Sequence, residues 1–233
     1  MIPHKEGALL ALPHLQKSTV NVLTELAPIG MFVSFPSVIS VNRNVPANTI
    51  REFIELAKKN PGKYTYASGG NGSVQHTAME ELKAMTGMNL LHVPYKGMAQ
   101  ATTDLVGGQV DCAIQGVVAV IPFAKNQVRV LAWTGSSRNP IYPDLPTLHE
   151  AGVTGYNYQP WTGLFGPAAL PRAIVTHLNE AMRKALAAGD LREKWTPQGM
   201  EIIDATPQQI EKMARDEYER MGKLIKQTGI RLD

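Results

Sequence analysis

The stretch "KYTYASGGNGSVQHTAMEELKAMTG", residues 63–87, contains a strand, a glycine-rich loop and a helix in close succession. The segment "KYTYAS" has the aromatic and small residues of a short strand. Ser73 is placed to cap a helix that Gly87 ends, with apolar residues at helical spacing: Val74, Ala78, Leu82 and Met85. Glycines in such a loop allow another group to come close to the backbone. The stretch therefore predicts one β-loop-α unit with a candidate binding loop.

Alternating strands and helices continue on both sides of this unit. Residues 31–42, "MFVSFPSVISVN", read as extended with a break at Pro36, and a capping box of Thr49 and Glu52 begins a helix. Further strands and helices follow as "NLLHVPY", "MAQATTDLV", "VDCAIQGV" and "VRVLAWTG". Short connections between alternating strands and helices are typical of an α/β sheet that is covered on both faces.

The last third of the chain predicts more helix than strand. The segment "WTGLFGP" reads as a strand, and Pro171 begins a long helix. The apolar residues Ile174, Leu178, Met182 and Ala185 are expected on one face of this helix. Asp190 and Glu193 resemble a second capping box, and Thr206 begins a final helix through about Gln227.

Composition limits the possible functions. The 233 residues are 44% apolar and 18% charged with a net charge of +3, which suits one large or two small globular domains. No basic run predicts nucleic-acid binding, and the longest apolar stretches are too broken to span a membrane. The single cysteine, Cys112, excludes an internal disulfide and is expected in the core. No secretory leader is visible.

The glycine-rich loop is compatible with several kinds of binding site or with a simple turn. A dinucleotide site is disfavoured because the third glycine of the fingerprint is missing and the next strand ends in Tyr95-Lys96 without an acid. A P-loop would need a Gly-Lys-Ser/Thr sequence, which does not follow. An anion site is favoured because a helix N-terminus attracts negative charge, and Ser68, Asn71 and Ser73 add polar groups. The structural alternative is a turn that needs glycine only for tightness.

A second loop has the same design. In "HVPYKGMAQ" a strand is followed by Lys96-Gly97 and a helix start, so two loops of one sheet could face one ligand. His76 could face that ligand, or it could be a cap or packing residue. Trp161 could stack on a ligand, or it could be a core residue. No histidine spacing fits a metal, and no nucleophile motif fits an enzyme, so we expect no metal, cofactor or catalytic residue.

Several motifs together resemble those of the tripartite tricarboxylate transporter substrate-binding proteins, the TctC or Bug family. They are "YASGGNGSVQH", "HVPYKGMAQATTDLVGGQVD", "RNPIYPDLPTLHEAG", "WTGLFGPAALP" and "GKLIKQTGIRLD". The resemblance covers about residues 14–233. It implies a type II periplasmic-binding fold of two α/β lobes around a ligand cleft, with no catalytic activity. It also implies a periplasmic protein, monomeric when complete, that captures a small organic acid for a membrane permease or a sensor kinase.

The resemblance also implies lobe boundaries and site residues. Lobe two is expected at residues 44–126, and lobe one at residues 1–43 and 127–233. The residues expected to line the cleft are Ser68, Gly69, Asn71, Gly72, Ser73, His76, Tyr95, Lys96, Gly97, Gln115 and Trp161.

The chain departs from the family pattern at its start. Family members begin with an export leader, a strand and a glycine-rich loop that supplies part of the carboxylate site. We expect lobe one to be incomplete here at its N-terminus, with an open sheet edge and weak or absent ligand binding. Two alternatives are a non-binding truncated fragment and the ligand-sensing domain of a LysR-type regulator, although no helix-turn-helix precedes the lobes.

Overall fold

A computed structural model describes residues 2–5, 10–16 and 21–231 of the chain. The chain forms two compact units, the first from Met1–Phe35 and Pro160–Leu232 and the second from Pro36–Gln159. Each unit has its own β-sheet with helices packed on it, so the predicted α/β class is confirmed. No helix within the described ranges is long and apolar enough to cross a membrane.

The elements alternate along the chain as the sequence predicts. The first unit begins with β1 (Ile2–Lys5), α1 (Leu12–Leu15), α2 (Val22–Glu25) and β2 (Leu26–Ser34). The second unit contains β3 (Ser37–Asn42), α3 (Ile50–Lys59), β4 (Thr65–Ser68), α4 (Val74–Thr86), β5 (Leu91–Pro94), α5 (Met98–Gly107), β6 (Cys112–Gly116), α6 (Val117–Val120) and β7 (Val128–Trp133). The first unit is completed by β8 (Trp161–Pro167), α7 (Arg172–Ala187), α8 (Gly189–Trp195), β9 (Glu201–Ile202) and α9 (Pro207–Thr228).

The second unit has a five-stranded mixed sheet in the order β5-β4-β6-β3-β7. Strand β4 is parallel to β5 and β6, whereas β3 is antiparallel to β6 and β7. Hydrophobic clusters cover both faces: Tyr66 packs with Phe53 and Leu82 on one, and Ala67 packs with Leu105 on the other. The parallel strands β4, β5 and β6 therefore end at the same edge, where α4 and α5 begin.

The first unit has an antiparallel sheet in the order β1-β8-β2-β9. Helices α7 and α9 pack on β2. The buried Asn179 amide of α7 donates to the carbonyls of Ile29 and Ala205 at 2.8 and 3.1 Å. A Cβ atom at Gly30 would lie 1.7 Å from the Met182 methyl group, so a side chain here would require the end of Met182 to move.

Several details differ from the sequence expectations. The expected lobe limits at 43/44 and 126/127 differ from the contact-defined limits at 35/36 and 159/160, because β3 and β7 pair inside the second sheet. The predicted capping box at Asp190 is wrong: α8 begins at Gly189 after Ala188, without a side-chain cap. The predicted apolar face of α7 is only partly covered, since Ile174 is 46% exposed and Ala185 is exposed as well.

Candidate functional site

The carboxyl edge of the second sheet brings two predicted loops together. We call residues 68–73, residues 95–97 and the end of β6 at residues 115–116 the strand-end site. The backbone N–H of Tyr95 donates to the Ser68 carbonyl at 3.0 Å, which joins the two loops. A Cβ atom on Gly70 would lie 3.2 Å from the Tyr95 carbonyl oxygen, and Gly70 has a φ of 121°. The close approach of the loops therefore needs glycine at this position.

Ser68 holds the first loop in place through its buried hydroxyl group. Its side chain is fully buried, and its hydroxyl accepts a 3.1 Å hydrogen bond from the Gly70 N–H. The same oxygen lies 2.6 Å from Nε2 of His92 on the neighbouring strand. Gly69 and Asn71 are partly exposed in the same loop. Ser68 thus fixes the loop conformation, while the loop residues beyond it reach the surface.

Ser73 and His76 hold the start of helix α4. Ser73 is the N-cap, and its hydroxyl accepts a 3.3 Å hydrogen bond from the His76 N–H. A serine hydroxyl that accepts a hydrogen bond still has a proton to donate. The Gly72 N–H donates to Nδ1 of His76 at 3.0 Å, so this amide already has an internal acceptor. At this helix end, the structure favours the Ser73 hydroxyl over the Gly72 amide as a ligand donor.

A stack of three rings lies beneath the first loop. The rings of His76 and His92 have centroids 3.9 Å apart, and His92 stacks on Tyr66 at 4.7 Å. The Tyr66 hydroxyl donates to Glu80 at 2.6 Å, and Lys83 pairs with the same carboxylate at 2.6 Å. Burial, reinforced by the Glu80 carboxylate, raises the pKa of Tyr66 well above its ordinary value.

The second loop is held by Tyr95 and ends at an uncapped helix. The Tyr95 hydroxyl donates to Asp104 at 2.8 Å, and burial together with this bond raises the pKa of Tyr95 to about 12. Lys96 is exposed. Gly97 is the N-cap of α5 with a φ of 115°, and no side chain caps this helix. The first N–H groups of α5 thus have no side-chain acceptor at the N-cap.

Gln115 and Trp161 are packed inside their units. Gln115 is buried at the end of β6, where its Oε1 accepts a 2.6 Å hydrogen bond from Thr102 and its Nε2 donates to Ser40 at 3.4 Å. Trp161 belongs to the first unit, where it is buried in a cluster with Met31 and Phe165. The structure therefore gives Trp161 the core environment that was the alternative to ligand stacking.

Sequence reasoning missed two residues that support the site. Thr102 and Asp104, on the body of α5, bind Gln115 and Tyr95. Helical spacing from Tyr95 or Gln115 does not identify these partners, because the contacts cross between elements. No group of three or more possible metal ligands is present among residues 2–5, 10–16 and 21–231.

The chain matches one protein family over nearly its whole length. Residues 5–230 match the tripartite tricarboxylate transporter family receptor. A Pseudomonas protein known as the UPF0065 protein in the tcbD-tcbE intergenic region is 35% identical over 203 residues, which cover 86% of this chain and 60% of that protein. Protein BugT of Bordetella pertussis is 30% identical over 213 residues, 91% of this chain and 65% of that protein. The chain thus spans less than two thirds of the length of these relatives.

Solved structures resemble the fold of the whole chain. A Rhodopseudomonas palustris protein with adipate is 29% identical, with a TM-score of 0.87 over 100% of this chain and 78% of that chain. The periplasmic binding protein BugD is 31% identical, with a TM-score of 0.83 over 99% of this chain and 78% of its own. The R. palustris protein MatC, with bound malate, is 27% identical, with a TM-score of 0.82 over 96% of this chain and 78% of its own.

Proposed function

We propose, since the chain belongs to the tripartite tricarboxylate transporter receptor family, that it binds a small organic acid through a carboxylate at the strand-end site. The observation that carries this proposal is the pair of helix starts at one sheet edge. Helix α4 begins at the Ser73 hydroxyl, and α5 begins at Gly97 without a side-chain cap. Both follow parallel strands that pair with each other, β4 and β5.

Family membership and fold class are established for this chain. The resemblance to the TctC and Bug proteins and the periplasmic-binding-protein fold are both confirmed. The family and the fold are those of periplasmic solute-binding proteins, which are not enzymes. For this chain, we propose a ligand, a cellular location and a transport partner.

The electrostatics of the site favour an anion. The N-terminal end of a helix carries a partial positive charge, and its first N–H groups point outward. Ligands of α/β sheets bind outside the carboxyl ends of the strands, which is where α4 and α5 begin. The exposed Lys96 adds a full positive charge in the second loop. A carboxylate would satisfy these donors, whereas an amine or a metal ion would be repelled.

The site residues divide by exposure into two roles. We propose that the ligand contacts the residues that reach the surface, which are Gly69, Asn71, Ser73, Lys96 and Gly97 with the first amides of α5. Buried or internally bonded residues hold these groups in place, namely Ser68, Gly72, His76, Tyr95 and Gln115. For Trp161, burial in the first unit favours a packing role.

Two similar structures suggest the class of acid. One has adipate and another has bound malate, and both compounds are dicarboxylates. We propose the same class for this chain. We also propose, from family membership, a periplasmic location and delivery of the acid to a tripartite tricarboxylate-type permease.

A thermal-shift screen followed by calorimetry would test the ligand class. The panel would contain adipate, malate, other mono- and dicarboxylates, amino acids, neutral sugars and polyamines. Stabilisation by one or more organic acids is expected, since a ligand that binds only the folded state raises the melting temperature. Stabilisation by a sugar or a polyamine, with no response to any acid, would reject the proposal.

A further inference from the structure

We propose that His76 is a positioning residue whose neutral imidazole ring holds the shape of the carboxylate-binding loop and makes acid binding sensitive to pH. This proposal rests on the proposed function of the strand-end site. It assigns His76 neither contact with the ligand nor a purely structural role in the core. The ring acts through the backbone of Gly72.

The hydrogen bond between Gly72 and His76 fixes the ring state. The backbone N–H of Gly72 can only donate, and it lies 3.0 Å from Nδ1 of His76. Nδ1 must therefore carry a lone pair, which makes the ring neutral with its proton on Nε2. Gly72 is buried, and His76 is only 6% exposed, so water competes little for this bond.

The loop depends on such bonds because its own backbone restrains it little. Three of the four residues 69–72 are glycine, and Gly70 and Gly72 have φ angles of 121° and 69°. Glycine loses more conformational freedom on ordering than any other residue. Two side chains hold the N–H groups of these two glycines, Ser68 at Gly70 and His76 at Gly72. Loss of either bond would release one half of the loop.

The contact between Ser68 and His92 does not impose the same requirement. Nε2 of His92 lies 2.6 Å from the Ser68 hydroxyl, which can donate to a neutral ring or accept from a charged one. Tyr66 stacks on His92, and the titratable groups next to Tyr66 are Glu80 and Lys83 from α4 and the buried Cys112 from β6. Protonation is thus compatible with the Ser68–His92 contact, whereas it must break the bond from Gly72 to His76.

Protonation of His76 would place an N–H at Nδ1 facing the N–H of Gly72. Two donors cannot share a hydrogen bond, so the loop would have to move away from the ring. The ordered loop thus binds fewer protons than the released loop, and acid shifts the equilibrium towards the released form. We therefore expect affinity for the carboxylate to fall as the pH decreases and His76 takes up a proton.

Three variants separate positioning from packing. In His76→Asn, the side-chain oxygen lies where Nδ1 was and accepts from Gly72 without titrating. His76→Leu keeps apolar volume and removes the acceptor. His149→Asn is the matched control, because Nδ1 of the exposed His149 accepts from the Gly155 N–H at the same 3.0 Å distance, outside the strand-end site.

Calorimetric titrations with adipate and, separately, with malate at pH 7.5 and pH 5.5 would measure the effect. At pH 7.5 we expect His76→Asn to bind within about threefold of the natural protein and His76→Leu about tenfold more weakly. Between the two pH values, the natural protein and His149→Asn should lose about tenfold more affinity than His76→Asn. The carboxyl groups of the acid titrate equally in all samples, so this difference isolates His76.

Nuclear magnetic resonance of the ligand-free protein tests the same bond independently of any ligand. The Gly72 amide signal should move with the titration of His76 and stop doing so in His76→Asn. A Gly72 amide that ignores the His76 titration overturns the proposal, as does a pH profile of His76→Asn equal to that of the natural protein. If Gly72 follows His76 but no acid binds at pH 7.5, the hydrogen bond stands and the proposed function fails.

Discussion

The hydroxyl of Thr102 donates a 2.6 Å hydrogen bond to the side-chain oxygen of Gln115. Gln115 also donates to Ser40 at 3.4 Å, so one buried amide joins helix α5 to strands β6 and β3. The start of α5, at Gly97, is thereby fixed relative to the end of β6. We therefore propose that Gln115, a residue expected to line the cleft, holds the frame behind the site.

Loss of the Thr102 hydroxyl should destabilise the second unit. Thr102→Val leaves the buried Gln115 oxygen without this donor, which costs about 1–3 kcal/mol of unfolding free energy. The adjacent Thr103 is exposed, and its hydroxyl bonds only within α5, at 3.2 Å from the Ala99 carbonyl. Thr103→Val is the control and should change stability by less than about 0.5 kcal/mol. Urea unfolding would measure both, and equal effects would contradict this role of Gln115.

Ser73 should affect both stability and acid binding. Ser73→Ala removes the N-cap of α4 at a cost of about 1 kcal/mol, and it should also weaken binding of adipate or malate by about 1–3 kcal/mol. Thr49 caps α3 by the same type of bond, to the Glu52 N–H at 3.1 Å, outside the strand-end site. Thr49→Ala should therefore lose similar stability with no change in affinity. Unchanged affinity in Ser73→Ala, measured by calorimetry, would remove Ser73 from the ligand contacts.

Gly97 should be intolerant of a side chain for conformational reasons alone. No atom lies within 4 Å of a Cβ built there, yet its φ of 115° is strained for any L-residue. Gly97→Ala should cost about 1–3 kcal/mol and displace the first turn of α5. Gly107, at the end of the same helix, has as much room for a Cβ atom as Gly97 but lacks the positive φ. Gly107→Ala should therefore be neutral or slightly stabilising. Similar melting temperatures for both variants would show that the Gly97 backbone is not strained.

The stabilising contribution of Tyr95 should be lost in alkali. Its pKa is raised to about 12 in the folded protein, mainly by burial and by the hydroxyl bond to Asp104. The unfolded chain therefore releases this proton first, near pH 10. The stabilisation is complete below about pH 10 and is lost as the pH rises to about 12.

The Tyr95→Phe variant isolates this contribution. Its melting temperature should fall less steeply between pH 9 and pH 12 than that of the natural protein. Tyr66 still contributes to the pH dependence in both. Tyr142→Phe, outside the strand-end site, is the control and should follow the natural protein. A Tyr95→Phe curve that is as steep as the natural one would refute the assignment to Tyr95.

Local hydrogen bonding made several helix ends predictable. Thr49, Ser73 and Thr206 are N-caps as expected, and Gly87 ends α4 in a left-handed conformation. These features depend on residues within three or four positions, so the sequence contains both partners. Asp190 failed as a cap because the N-cap of α8 is Ala188, two residues earlier, and end positions shift easily in a short helix.

By itself, the sequence determined the α/β class, the family and the two glycine-rich loops at strand ends, because spacing, capping and glycine placement are local properties. Only the tertiary structure decided which polar groups near those loops face outward. Ser68 bonds to His92, 24 positions further along the chain, and His76 stacks on the same ring, 16 positions away. Gln115 bonds to Thr102, 13 positions before it. Such contacts form when strands pair and helices pack on them, and no periodicity along the chain encodes them.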